Sequence, residues 1–170
     1  MIWSSRRWLI WSGVAIGVFL LGAWLGAAGA IALPQYPITT THSLGSVTGV
    51  FEHNLVVLAF ISFGAVTLGL TSGIELFVNG GSFGFVAVEM ILRHQGGVLW
   101  TAVGPQFAFE VGAYILAAAA TLRTGWNFWW PFISRRGRPS LLWKSWLVAQ
   151  VAGAALVYVG ALVEVTYSHV

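Results

Sequence analysis

Residues 6–34 read RRWLIWSGVAIGVFLLGAWLGAAGAIALP, and this stretch decides the fold. Two arginines end at Trp8, and Trp8–Leu33 then runs without a formal charge up to Pro34. A helix needs about 20 apolar residues to cross the roughly 30 Å of hydrocarbon in a bilayer. Four further stretches approach that length: Val50–Ser72, Ile74–Leu92, Pro105–Leu122 and Leu147–Tyr167. The chain therefore reads as all-α, a polytopic transmembrane helix bundle of about five spans.

The charges give it a direction. Threading the spans alternately puts Arg6, Arg7, Arg123, Arg135, Arg136, Arg138 and Lys144 on one side and Arg93 alone on the other. Excess cations mark the cytoplasmic side, which predicts the N-terminus inside, the C-terminus outside and a multi-pass protein of the inner membrane. The tryptophans agree. Trp3, Trp8, Trp11, Trp126, Trp129, Trp130, Trp143 and Trp146 fall near the inner boundary, where an amphipathic indole prefers to rest. Trp100, Tyr36 and Tyr167 mark the outer one.

Composition narrows the class. With 58% hydrophobic and 8% charged residues, the chain is no ordinary soluble domain. Its length suits a single transmembrane domain over residues 1–170, with an N-terminal anchor helix and outer loop (1–48) and a four-helix core (49–170). The net charge of +3 is no nucleic-acid signal, because the cations cluster at span ends, where anionic lipid headgroups lie. Cysteine is absent, which excludes disulfides and thiol chemistry. The first span has a second reading, since Ser5-Arg6-Arg7-Trp8-Leu9-Ile10 resembles a twin-arginine leader with a cleavage site near Ala28–Ala32. Its apolar run is longer than a usual signal core and no soluble domain follows, so a retained anchor is expected.

Between the spans, Pro34–Thr48 reads as an outer loop, with prolines at 34 and 37 stopping the helix. The second and third spans join tightly around Thr71-Ser72-Gly73, which predicts an antiparallel hairpin there. Pro105 is a good first residue for the fourth helix. Arg123–Trp146 is the longest inner loop. Its Trp126-Asn-Phe-Trp129-Trp130-Pro-Phe run, followed by Arg135, Arg136 and Arg138 and then Lys144, reads as an interface-hugging segment that contacts anionic lipid or a partner. Gly13/Gly17, Gly22/Gly26, Gly80/Gly84 and Ala149/Gly153 are small-xxx-small pairs that let helix backbones approach in lipid. Two such pairs on the first span invite a partner helix, within the chain or from a second copy.

All five acids are glutamates, and an ionisable group in hydrocarbon costs several kcal/mol unless it is paired or hydrated. Glu110 lies about 8 Å inside the outer end of the fourth span, and Glu164 about 5 Å from the outer end of the fifth. Glu52, His53 and Asn54 begin the second span at the same side. Three helices thus bring His53, Asn54, Glu110 and Glu164 to one depth. Gln106 and Tyr114 lie one turn to either side of Glu110 and share its face. The expected contact is His53 donating to Glu110 or Glu164. The cluster reads either as an interhelical latch or as a proton, ligand or metal site, and no HExxH-like spacing supports a metal. At the inner hairpin Glu75 and Asn79 form an i, i+4 pair, and at the outer end of the third span Glu89 and Arg93 form another.

At these residues the chain resembles a known family. Phe51-Glu52-His53-Asn54, Leu76-Phe77-Val78-Asn79-Gly80 with Gly84, and Pro105-Gln106-Phe107-Ala108-Phe109-Glu110 are similar to motifs of the stage II sporulation protein M (SpoIIM) family. Gly125-Trp126 and Ala161-Leu162-Val163-Glu164 continue the likeness, which spans about residues 49–167. One pattern departs: the family's Pro-His-Gly-x-x-Glu appears here with Gln106 and Phe107, which removes a second histidine beside Glu110 and with it a His-His-Glu metal site. The resemblance implies a prokaryotic membrane protein without intrinsic catalysis, cofactor or metal. It implies a scaffold that recruits partners such as a cell-wall hydrolase, or a permease-like subunit beside an ABC-type ATPase in an exporter or immunity system. An intramembrane hydrolase using His53 and Glu110 lacks a visible activated nucleophile.

Overall fold

The computed structural model describes residues 5–33, 46–135 and 142–167. The expected outer loop falls largely outside them, as do Arg136 and Arg138. Helix α1 covers Ser5–Ala32, α2 Val47–Phe63, α3 Leu70–Leu92, α5 Gly104–Ser134 and α6 Trp143–Tyr167. A three-residue turn, α4 (Gly96–Val98), and a π-helical turn over Leu99–Val103 bridge α3 and α5. The described chain is all-helical. Four of its helices are long and apolar enough to cross a membrane, and α2 is a shorter apolar one.

Side-chain contacts fix the direction of each helix. Trp8 meets Arg123 and Phe19 meets Phe107, so α1 and α5 run antiparallel. Asn54 reaches Glu110 while Trp129 reaches Ala65, so α2 and α5 run parallel. Ser62 bonds Gln150 and Phe51 packs on Tyr158, which sets α6 antiparallel to α2. Helices α1, α3 and α6 therefore point one way, and α2 and α5 the other. Arg6, Arg7, Arg123, Arg135 and Lys144 gather at one end of this bundle, and Arg93 lies at the other.

The closest packing joins α1 to α3. A Cβ on Gly22 or Gly26 would run into the carbonyls of Phe77 and Gly81, and a Cβ on Gly80 or Gly84 into those of Phe19 and Ala23. The two GxxxG pairs face each other, so each backbone lies in the groove left by the other's missing side chains. Gly13 and Gly17 differ: nothing lies within 4 Å of a Cβ built on either. Helix α5 is central and touches α1, α2, α3 and α6. Its run Ala117–Ala120 is buried, and with Ala15, Leu58, Ile61, Leu76 and Val157 it makes a core of small and branched side chains. Leu9, Leu20, Trp24, Phe60, Val66 and Val151 point outward, where a lipid-facing surface needs apolar groups.

Two expectations are corrected. The hairpin is centred on Gly64–Gly69, not on Thr71-Ser72-Gly73, which lie in the first turn of α3. Leu68 and Gly69 take left-handed backbone, at φ 54° and 87°, and turn the chain. The Ser72 hydroxyl then donates to the Ile61 carbonyl near the end of α2, which also accepts from the Gly64 amide at 3.1 Å. Gly64 leaves room for that hydroxyl. At its start α2 gains a turn, because Ser46 caps it by accepting from the Gly49 amide at 3.1 Å. The second correction concerns the inner loop. Helix α5 does not stop at Leu122 but continues through Pro131 to Ser134, about 46 Å at 1.5 Å per residue. The Trp126–Phe132 run is thus the emerging end of a spanning helix, not a separate segment lying on the surface.

The directions can be checked with thiol labelling, since the chain has no cysteine. His94 and Arg135 are exposed and flank α5. His94→Cys should react with an impermeant maleimide from outside intact cells, and Arg135→Cys only after permeabilisation. Labelling of both from one side would remove the single crossing between them.

Candidate functional site

Helices α2, α5 and α6 bring part of the expected outer cluster together. Asn54 is buried about two turns into α2 and faces α5. Its Nδ2 donates to Glu110 Oε1 at 2.6 Å, and Tyr114 Oη donates to its Oδ1 at 2.8 Å. The two bonds fix which way the amide points, as a carboxylate can only accept and Tyr114 is left to donate. Glu110 and Tyr114, four residues apart, share one helical face as their spacing requires.

Glu164 approaches from α6. Gly160 packs against Glu110 Cγ, the Gln106 carbonyl and Phe109 Cβ, all within 3.5 Å of where its own Cβ would stand. Glu164 lies one turn further along that face and within electrostatic reach of Glu110. Gln106 lies in the same seam through its backbone. The arrangement is a hydrogen-bonded chain, Tyr114 to Asn54 to Glu110, beside a second carboxylate. It ties α2 to α5 where α6 closes on them.

His53 is the correction here. It was expected to donate to Glu110 or Glu164, yet it is exposed and takes no part in these bonds. One residue along a helix is a rotation of about 100°. Once Asn54 points at α5, His53 must point away. His53 is therefore not placed to exchange a proton with Glu110.

The inner-end residues divide. Trp126 and Trp130 stack on each other, with ring centroids 4.6 Å apart, and both are nearly half exposed. Trp129 instead turns inward and donates from Nε1 to the Ala65 carbonyl at 3.1 Å, closing the α2–α3 turn. Lys144 is exposed beside the Trp143 ring, and Arg135 is exposed at the end of α5 with φ 53°. Asn79 Nδ2 donates to the Glu75 carbonyl at 2.8 Å and reaches its carboxylate at 3.5 Å, so this pair satisfies groups within α3. Glu89 is buried and meets Arg93 Nε at 3.1 Å.

A second polar network was missed by the sequence reading. Ser62 donates to Gln150 Oε1 at 2.8 Å, Gln150 Nε2 donates to Thr121 Oγ1 at 3.1 Å, and Trp146 Nε1 donates to the same hydroxyl at 3.1 Å. It joins α2, α5 and α6 toward the basic end, as the Asn54 chain does toward the acidic end. The signal was Gln150, a lone amide inside the apolar run of α6. Arg123 was placed only as a loop cation, yet it is 6% exposed and lies against the Trp8 ring.

Comparison with known proteins gives one result. The family model for stage II sporulation protein M (SpoIIM) matches residues 15–169, which takes in most of α1 as well as the segment that carries the motifs. No curated protein and no solved structure matches the chain.

Proposed function

We propose a function from one premise: the chain belongs to the stage II sporulation protein M family and is a membrane protein. It is a non-catalytic subunit of the prokaryotic inner membrane that holds or recruits other proteins in a membrane complex. One observation carries this reading. Two sets of polar side chains inside the bundle are joined internally, Tyr114–Asn54–Glu110 at one level and Ser62–Gln150–Thr121–Trp146 at another. Groups so joined orient helices and leave little for substrate chemistry.

Partners would then bind along the flanks, where α1 offers an uninterrupted apolar surface with Gly13 and Gly17 open to a close approach. At the basic end, Trp126, Trp130, Arg135 and Lys144, with Arg136 and Arg138 beyond the described residues, would attract anionic lipid or dock a cytoplasmic protein. That end also motivates the second reading, a permease-like subunit of an ABC-type exporter. Helix α5 extends past the hydrocarbon thickness there and gives an ATPase something to grip.

Purification of the native complex in mild detergent separates the two. A cell-wall hydrolase or other extracytoplasmic protein should co-purify in proportion to the chain, and Glu110→Gln should leave that association intact. Stoichiometric recovery of an ATPase would replace the scaffold reading with the permease. Recovery of the chain alone from cross-linked membranes would reject both.

A further inference from the structure

At the basic end, α1 and the emerging part of α5 part to leave a cleft of about 530 Å³. Arg7, Trp11, Trp126, Asn127, Trp130 and Pro131 are among the residues that line it. Its aromatic wall is continuous, since Trp11 lies 5.7 Å from Trp126, which stacks on Trp130. Among the lining residues there is a cation but no carboxylate.

A second cation stands at the root of the same seam. Arg123 precedes Trp126, Asn127 and Trp130 by three, four and seven residues, and so shares their face of α5. It is 94% buried, and its Nε and Nη1 find no hydrogen-bond acceptor among the described residues. Its one described contact of note is the Trp8 ring, at 5.9 Å, next to Arg7 in sequence. Arg7 is near enough to repel it. A buried guanidinium carries five donors and is costly to leave without an acceptor, the more so with a like charge beside it. Of the described acids, Glu52, Glu89, Glu110 and Glu164 lie toward the opposite end, and Glu75 on α3 reaches Asn79 and leaves Nε and Nη1 of Arg123 without a bond.

We propose that this α1–α5 cleft is a binding site for the phosphate headgroup of an anionic phospholipid, held between Arg7 and Arg123 with its upper acyl chain along Trp11 and Trp126. The chemistry fits at both ends. A phosphodiester supplies the acceptor oxygens that Arg123 lacks and neutralises the Arg7–Arg123 repulsion. Indole rings at the boundary favour a ligand that is wet at one end and apolar at the other. Basic pockets between spanning helices on the positive side of a bundle are suited to such headgroups. The site differs from diffuse attraction to Arg135 and Lys144, which are exposed and are not among the residues that line the cleft.

The test is competition between phosphatidylglycerol and phosphatidylcholine for the full-length protein, with retained lipid counted by native mass spectrometry. Each cation near an anionic headgroup contributes about fivefold. Wild type should prefer phosphatidylglycerol by roughly twentyfold or more on that basis. Arg7→Gln and Arg123→Gln should each lower the preference about fivefold, Arg123→Lys should lower it less, and Arg135→Gln, which bears only on the diffuse attraction that salt screens, should lower it less than Arg7→Gln. Arg7 is exposed, so its variant folds even if the Arg123 variants do not. Equal retention of the two lipids by wild type would overturn the proposal, as would equal losses from Arg7→Gln and Arg135→Gln. Displacement of the bound lipid by millimolar inorganic phosphate would overturn the lipid assignment and leave a free-phosphate site in its place.

Discussion

Substituting alanine at Gly26 or Gly84 should lower the thermal stability of the detergent-solubilised protein, and leucine at either should separate α1 from α3. Both glycines face a partner backbone carbonyl, Gly81 for the first and Ala23 for the second. A carbonyl oxygen in a helix cannot rotate aside, so even one methyl group must push the helices apart. Overpacking costs roughly 1–3 kcal/mol when neighbours can yield, and rigid backbone yields less. For a chain of this size that corresponds to a drop in Tm of about 2–12 °C for alanine. Leucine should abolish the transition. The internal control is on the same helix. Gly13→Ala and Gly17→Ala meet nothing within 4 Å and gain helix propensity, so they should be neutral or slightly stabilising. Equal effects at all four positions would mean that the α1–α3 seam is not held by its glycines.

That seam shows how far spacing alone can be read. The four-residue interval in Gly22/Gly26 and Gly80/Gly84 announced close packing, because only helical geometry makes such pairs share a face. It could not say which pairs meet, since Gly13/Gly17 carries the same interval and packs on nothing described. Length and hydropathy gave the spans for the same physical reason: a bilayer imposes one thickness on every helix. Turns have no such ruler. Gly73 looked like the hairpin glycine, but Leu68 and Gly69 carry the left-handed backbone, and Ser72 closes the turn from within α3. Depth was legible in the outer cluster, which is why Glu110, Asn54 and Tyr114 were grouped. Azimuth was not. His53 and Asn54 are adjacent in the chain and equal in depth, and the 100° between them decides which one meets Glu110.

The Tyr114–Asn54–Glu110 chain makes a graded expectation. Asn54→Leu removes a donor and an acceptor at once, leaving a carboxylate and a hydroxyl inside the bundle without their partner. An unsatisfied buried group costs about 1–3 kcal/mol and a charged one more. Asn54→Leu should therefore be the most damaging of the set, with unfolding or loss from the membrane fraction as the readout. Tyr114→Phe deletes one neutral bond, and interhelical bonds in membranes are worth about 0.6 kcal/mol on average and 1.7 at most, so its loss should be mild. Glu110→Gln keeps an oxygen where Asn54 Nδ2 donates and removes the repulsion from Glu164, so its stability should match wild type or exceed it. Glu110→Leu should fall with Asn54→Leu, because it strands the amide. The same series separates a latch from a site with chemistry. A latch tracks hydrogen bonding, so activity in the native complex should follow stability, with Glu110→Gln active and Glu110→Leu not. A carboxylate that carries a proton or holds a cation needs its charge, and then Glu110→Gln would be stable but inactive. That one divergence between folding and function would end the latch reading and return Glu110 to the centre of the mechanism.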